Sequence, residues 1–478
     1  MDQKLLYDYI DAHADTFIGV SDKIWEYAEL SLKEFRSAAL YCDVLREHGF
    51  TVEENLCGVP TAFSGSFGSG KPVIGILGEF DALSGLSQVG GATEKRSAGG
   101  ENGHGCNHNL LGAGALGAAF AVKAWLEQSG QPGTVIFFGC PGEEGGAGKA
   151  FMARDRAWEA LDAAITWHPD DMNMVISGSC ISCIQKEYIF DGVSAHAAGD
   201  PEHGRSALDA VELMNIGVQY LREHMPSTAR VHYAITDGGG VSPNVVQPHA
   251  SVLYMVRDHQ VGETLELQKR VDKIAEAAAM MTDTKLHIRF IDGTANTVAN
   301  RTLEELAYEV FKAAPLPDYT QAELDYAAAL AASYPTPPQS PAKEYADVLT
   351  EEDAVFVEQA SAHGTTPINN FLLPYHHSAV VHMGSTDVGD VSWQTPTLQI
   401  YTACQAAGSP GHSWQNVSAG KSSLGYKGML LAAKVMAGIA AELFAQPDIL
   451  EKAKAEHRKQ IGSGYVCPIP PDAVPTAL

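Results

Sequence analysis

Three short apolar runs, at residues 73–77, 134–140 and 163–167, constrain this chain more than any other feature. Each has the length of one strand and is apolar at consecutive positions, as a strand buried on both faces is. A long helical pattern at 110–126 separates the first run from the second. Strand and helix in alternation predict an α/β chain built on a mixed, mostly parallel sheet. Each run also hands over to groups that carry chemistry. The first is followed by Glu79 and Asp81, the second by Glu143 and Glu144, and the third by His168. Catalytic groups in such sheets collect at the carboxyl ends of the strands. A plain turn with a helix cap is the competing reading for Glu79 and Asp81.

The rest of the chain fits around that sheet. Residues 1–47 carry helical periodicity, with Ile24, Trp25, Tyr27 and Ala28 as an example. Residues 65–71 resemble a phosphate-binding loop, but Pro72 stands where the motif needs Ser or Thr, so the segment reads as a hairpin turn. Residues 84–102, rich in Gly and Ser, read as a loop over the site. From 181 the pattern becomes strand, helix, strand, strand, helix, strand, the order of a ferredoxin-like unit. The expected division is a catalytic metal-binding domain at 1–181 and 298–478, with a lid and dimerisation domain inserted at 182–297. Residues 316–350 read as a surface excursion, 398–402 as a late strand, 421–444 as a closing helix, and the tail from 462 as extended.

Composition excludes some partners. The net charge of −26 disfavours nucleic acid and anionic membranes, which both need basic surface. The segment Met1-Asp2-Gln3-Lys4-Leu5-Leu6 shows no basic region followed by an apolar one, so no signal peptide is expected. The apolar helices near 110–126 and 428–445 are broken by Lys123, Lys434 and Glu442 and read as core, not membrane spans. Eight cysteines in 478 residues are too sparse for a disulfide framework, which makes a reducing cytoplasm the default.

The densest chemistry lies in Gly103-His104-Gly105-Cys106-Asn107-His108-Asn109. Cys106, His108, Glu144, His168 and His412 offer the mixed S, N and O donors that divalent metals take from separate elements. Cys-x-His alone is a weak signal and fits a buried thiol beside a capping imidazole better than a ligand pair. Paired glutamates alone most often lie on solvated faces. Glu143 and Glu144, however, follow a buried run, and adjacent buried carboxylates are costly without a cation. One acid of the pair can bind metal while the other takes a proton from water and gives it to a leaving nitrogen. That chemistry is hydrolysis of an amide.

The chain resembles the M20 family of metallopeptidases, in its amidohydrolase/aminoacylase branch. The segments that carry the likeness are Gly78-Glu79-Phe80-Asp81-Ala82-Leu83, Glu101-Asn102-Gly103-His104-Gly105-Cys106, Cys140-Pro141-Gly142-Glu143-Glu144-Gly145-Gly146 and Thr166-Trp167-His168-Pro169. Ser194-Ala195-His196, Ser242-Pro243-Asn244 and Ser385-Thr386-Asp387-Val388-Gly389-Asp390 continue it. The resemblance implies a zinc-peptidase-like fold and two divalent ions, zinc or manganese first, with cobalt or nickel also compatible. It implies Cys106, His108, Glu144, His168 and His412 as ligands, with Cys106 bridging. Glu143 is then the general base, and Asp81 orients a ligand. It implies that His196 reaches a partner subunit's site and that Asn244 and Arg257 hold a substrate carboxylate.

The implied substrate is an N-acyl or aroyl amino acid, p-aminobenzoyl-glutamate first. A homodimer through the lid is implied, with a heteromer of related subunits as the alternative. A dipeptidase on unusual dipeptides shares these motifs. A silent ligand-binding subunit is the reading from another class, and it sits poorly with an intact set of ligands and base. Two positions depart from the branch: Asn107 replaces a glycine, and Asn109 replaces an aspartate expected to partner the histidine.

Cys180 and Cys183 have redox-like spacing but lie in a strand-like run, which favours a plain structural role. His376, His377 and His382 belong to none of the motifs, and Trp393 and Trp414 could line a pocket or pack.

Overall fold

A computed structural model describes residues 3–462 and 464–477. The expectations for the N-terminal hexapeptide fall partly on residues 1 and 2, which lie outside the described residues.

The larger sheet has seven strands. Their order across it is Thr51–Glu54, Phe63–Ser69, Gly133–Cys140, Val73–Glu79, Ala163–Asp170, Thr397–Ala403 and Met174–Val175. The run from Gly133–Cys140 to Thr397–Ala403 is parallel, and the flanking strands are antiparallel. The three apolar runs are therefore the adjacent central strands, as expected. Their side chains divide by parity. Ile74, Ile76, Val135, Phe137, Ala163 and Ile165 face one apolar cluster, while Leu77, Phe138 and Ala164 face another. Burial on both faces is why these strands read as continuous apolar runs rather than as alternation.

One correction concerns residues 65–71. The strands Phe63–Ser69 and Val73–Glu79 are not a hairpin, because Gly133–Cys140 lies between them, antiparallel to the first and parallel to the second. A tight turn predicts a reversal of direction but not adjacency, and here the chain steps over one strand.

The first cluster is covered by the helices His108–Ser129 and Ser423–Ala445 and by the N-terminal helices Lys4–Ala12 and Ala14–Tyr27. His108–Ser129 and Ser423–Ala445 are long and apolar enough to cross a membrane, yet 89% and 78% of their apolar 18-residue stretches are buried inside the protein. They are core helices. Leu110, Leu111, Leu116 and Phe120 are buried, each contributing about 1.5–3 kcal/mol. The first of these helices approaches the sheet so closely that a Cβ on Gly112 would lie 2.7 Å from the Glu79 carbonyl oxygen. That approach sets the helix start, with Cys106 and His108, against the ends of the central strands.

A second sheet has four antiparallel strands in the order Lys285–Thr294, Ser182–Asp191, His249–Asp258 and Arg230–Asp237. The helices Ala207–Leu221 and Val261–Thr282 pack against it over their own apolar cluster. This is the ferredoxin-like order. The returning chain is fixed by the helix Val388–Gln394. Asp390 accepts from the Ala295 N–H at 3.0 Å, Ser392 from the Val298 N–H at 2.8 Å, and Trp393 donates to the Asn296 carbonyl at 2.8 Å. Trp393 is thereby a packing residue, as is Trp414, which lies against the cluster around Ala327 and Leu330.

Residues 316–350 are more than a surface excursion. The helix Gln321–Ala331 buries Ala327 and Leu330, and Tyr345 lines the main cavity. The closing helix is followed by another, Pro447–Gln460, which the apolar patterning does not reveal because the segment is rich in charge.

Candidate metal centre

Four neighbouring strand ends and one helix start supply the site. Val73–Glu79 delivers Glu79 and Asp81, Gly133–Cys140 delivers Glu143 and Glu144, Ala163–Asp170 carries His168, and the loop after Thr397–Ala403 carries His412. Cys106 and His108 flank the start of the helix His108–Ser129, and Asn107 between them is left-handed at φ 59°. Asparagine tolerates that conformation better than most residues. The turn therefore survives without the glycine of the branch. The Asn107 side chain is taken up by three buried hydrogen bonds. Its Nδ2 donates to the carbonyls of His104 at 3.2 Å and Asn416 at 2.7 Å, and its Oδ1 accepts from Gln405 at 3.0 Å.

Donor atoms of Cys106, His108 and His168 lie within 4.8 Å of one another, and so do those of Cys106, Glu144 and His412. Cys106 belongs to both groups. Its sulfur is 3.3 Å from His168 Nε2, and His412 Nε2 is 3.4 Å from Glu144 Oε1. The imidazoles are oriented for ligation. His168 Nδ1 lies 2.8 Å from the Pro169 carbonyl and His108 Nδ1 lies 2.8 Å from Asp81 Oδ1, so both rings carry the proton on Nδ1. Their Nε2 lone pairs are then free for a cation, with the outer partner fixing the tautomer.

This corrects the expectation about Asn109. His108 keeps an anionic partner, because Asp81 fills that role. Asn109 instead donates to Ser21 at 2.9 Å and to the Gly420 carbonyl at 2.8 Å.

The residues present fit divalent cations. His108 Nε2 and Glu144 Oε1 are buried and make no hydrogen bond among the described residues. Such orphaned atoms are costly unless something else binds them. The electrostatics agree. Burial pushes the Cys106 thiol up, with the Glu144 charge adding to it. Burial and the charges of Glu79 and Glu144 push the Glu143 carboxyl far above its ordinary range. Burial also raises Glu144. A divalent cation reverses all of these pressures toward neutrality. Burial lowers the His168 imidazole to about 4, which keeps it neutral and able to ligate. Burial opposes ionisation of Asp81, but His108, the Glu144 N–H and the Ser31 hydroxyl hold its carboxyl down at about 2.

The donors open on a cavity of about 650 Å³ between the two sheets. Cys106, Glu143, Glu144, His168 and His412 line one side. Arg257, Gln185, Asp292 and Thr294 of the smaller sheet line the other, with Met174, Ile176 and Tyr401 between. The Arg257 guanidinium rests on Met255 Sδ at 2.9 and 3.2 Å and on the Met383 carbonyl at 3.5 Å. His382, Cys180 and Cys183 also line the cavity, whereas His376 and His377 pair with Asp353 and Glu304.

His196 and Asn244 do not line this cavity. Both are exposed, on two adjoining loops joined by the bridge between His196 and Val245. Sequence reasoning overlooked Lys149 and gave no role to Asp387, which pair with each other beside Glu79. A lone lysine within Gly148-Lys149-Ala150-Phe151-Met152 is the available signal, since an isolated charge in an apolar run needs a buried partner.

Residues 76–412 match the model of peptidase family M20/M25/M40. The chain belongs to that family. It is 44% identical over 478 residues to a subunit of the p-aminobenzoyl-glutamate hydrolase of Escherichia coli, covering 99% of each chain. It is 29% identical over 310 residues to Xaa-Arg dipeptidase of Mus musculus, covering 62% of this chain and 67% of that one. Among solved structures, a dinuclear metal binding M20 peptidase of Bacillus subtilis superposes with a TM-score of 0.55. That pair is 16% identical, with 91% of this chain and 99% of the other covered, so it speaks for the fold. This M20 chain is a metal-dependent hydrolase acting on amide bonds.

Proposed function

We propose that the chain hydrolyses the amide of N-acyl or N-aroyl amino acids at a centre of two divalent ions, with p-aminobenzoyl-glutamate as the leading substrate. The observation that carries this reading is the membership of Cys106 in two donor groups at once. A shared thiolate with three imidazoles and one carboxylate suits zinc or manganese, and cobalt or nickel tolerate the same donors. When bound, the ions polarise the amide carbonyl and acidify water.

The protein's own groups do the rest. Glu143 lines the cavity beside the donors, and with the ions' charge opposing the burial that raises its carboxyl it is ionised, takes a proton from water and gives it to the departing nitrogen. His108 is oriented by Asp81. Arg257 faces the centre across the cavity and suits the carboxylate of the amino acid half. Met174, Ile176 and Tyr401 offer apolar and aromatic surface to an aroyl half.

The segment 182–297 is read as a lid that also dimerises. Its edge strand Arg230–Asp237 leaves Tyr233 and Ile235 exposed, and an open edge invites pairing with a second copy. In that dimer His196 and Asn244 serve the partner's site, which accounts for their exposure here. Assembly with a related chain is the competing arrangement, suggested by the Escherichia coli relative being one subunit of its enzyme. The expected location is the cytoplasm.

A dipeptidase is the second reading, favoured by the mouse relative. The deciding experiment is release of free amino acid from N-acyl amino acids and dipeptides, p-aminobenzoyl-glutamate included, by metal-loaded chain expressed alone. Preference for an acylated acidic amino acid supports the proposal. A requirement for a free substrate amine supports the dipeptidase, and no release from any substrate counts against both.

A further inference from the structure

A third group of donors lies beside the first two. Ligand atoms of Glu79, His108 and Glu143 also fall within 4.8 Å of one another, all of them buried or nearly so. This group would be a poor place for an ion. It would draw His108 away from Cys106 and His168, and it would consume Glu143, the proposed base.

The structure places a cation against it from within. Lys149, 0% exposed, sets its Nζ 2.8 Å from Glu79 Oε1 and 2.5 Å from Asp387 Oδ1. Asp387 grips the same residue twice, since its Oδ2 accepts the Lys149 N–H at 2.8 Å. Glu79 Oε2 remains 3.3 Å from His108 Nε2. A buried ammonium persists only where carboxylates outweigh its desolvation, and here two do.

We propose that Lys149 is a positioning residue whose ammonium, held on the far oxygen of Glu79, supplies the positive charge that would otherwise draw in a third ion. By neutralising Glu79 and Asp387 it confines divalent cations to the two groups that share Cys106 and leaves Glu143 free to move protons. This rests on the two-ion reading above.

The test is equilibrium dialysis of intact, chelator-stripped protein against Zn2+ or Mn2+, with kcat and KM measured on the same preparations. Wild type is expected to take up two ions per chain. Lys149→Met is expected to take up a third, and its kcat to fall about tenfold or more in excess metal with KM little changed. Adding Glu79→Gln to Lys149→Met is expected to return the count to two and restore most of kcat, a rescue that a packing role for Lys149 would not give. Lys149→Met with two ions and wild-type kcat overturns the proposal, as does a third ion that persists in the double variant. If Lys149→Met does not fold, the double variant decides: folded with two ions supports the proposal, and unfolded as well overturns it. Fewer than two ions in wild type would instead overturn the two-ion reading on which the proposal rests.

Discussion

The Cys106 sulfur lies 3.3 Å from His168 Nε2 and at the same time within ligand range of Glu144 and His412. One side chain therefore joins two donor groups that come from different strand ends. The consequence is an asymmetry among the ligands. Cys106→Ala should weaken both ions, whereas His412→Ala and His168→Ala should each weaken one. Metal counted per chain after dialysis checks this. Equal losses from all three variants would contradict the shared role.

Asp81 touches three elements through one carboxylate, accepting from His108, Ser31 and the Glu144 N–H. Asp81→Asn should keep the fold but disturb the His108 tautomer. The expected result is a loss of about 10- to 100-fold in metal affinity, the usual effect of removing an outer partner. Competition with a chelator of known affinity measures it.

Asn107 is fully buried and satisfies groups from three segments. Asn107→Ala strands the Gln405 amide and puts an alanine in a left-handed turn. A stability loss of about 1–3 kcal/mol is expected, read as a lower denaturant midpoint in metal-free protein. Asn107→Gly should be milder at the backbone and still lose the hydrogen bonds.

The carboxyl of Asp390 is pushed up to about 7 by burial, with the nearby Asp387 charge adding, against hydrogen bonds from Tyr465 and Ala295. Folding therefore favours its protonated form. Between the unfolded carboxyl range and about pH 7 the folded state holds a proton that the unfolded state has lost, so this residue makes stability fall as pH rises. Asp390→Asn should flatten that slope by up to about 1.4 kcal/mol per pH unit. Denaturant titrations of both proteins from pH 4.5 to 7 show it, and an unchanged slope would count against a neutral Asp390.

Sequence patterning revealed the central strands because burial on both faces leaves an unbroken apolar record at 73–77, 134–140 and 163–167. It pointed to the candidate donors because metal chemistry restricts residue type, and the fold brings Cys106, His108, Glu144, His168 and His412 together. It missed what depends on strand order. The segment 65–71 looked like a hairpin because local sequence encodes the turn, while the strand inserted between its arms comes from residues 133–140. Lys149 and Asp387 went unread as a pair because 238 residues separate them, and only the folded sheet brings the two together. His196 and Asn244, expected at a site, lie exposed and away from the cavity.

The central claim is that Glu143 moves the proton while its neighbour Glu144 holds metal. Glu143→Gln separates the two roles, because metal content and release of glutamate from p-aminobenzoyl-glutamate can be measured on one preparation. The account predicts two ions still bound and turnover lowered by about 10²- to 10⁴-fold, the usual worth of a positioned general base. Full turnover, or loss of an ion with the substitution, would contradict it.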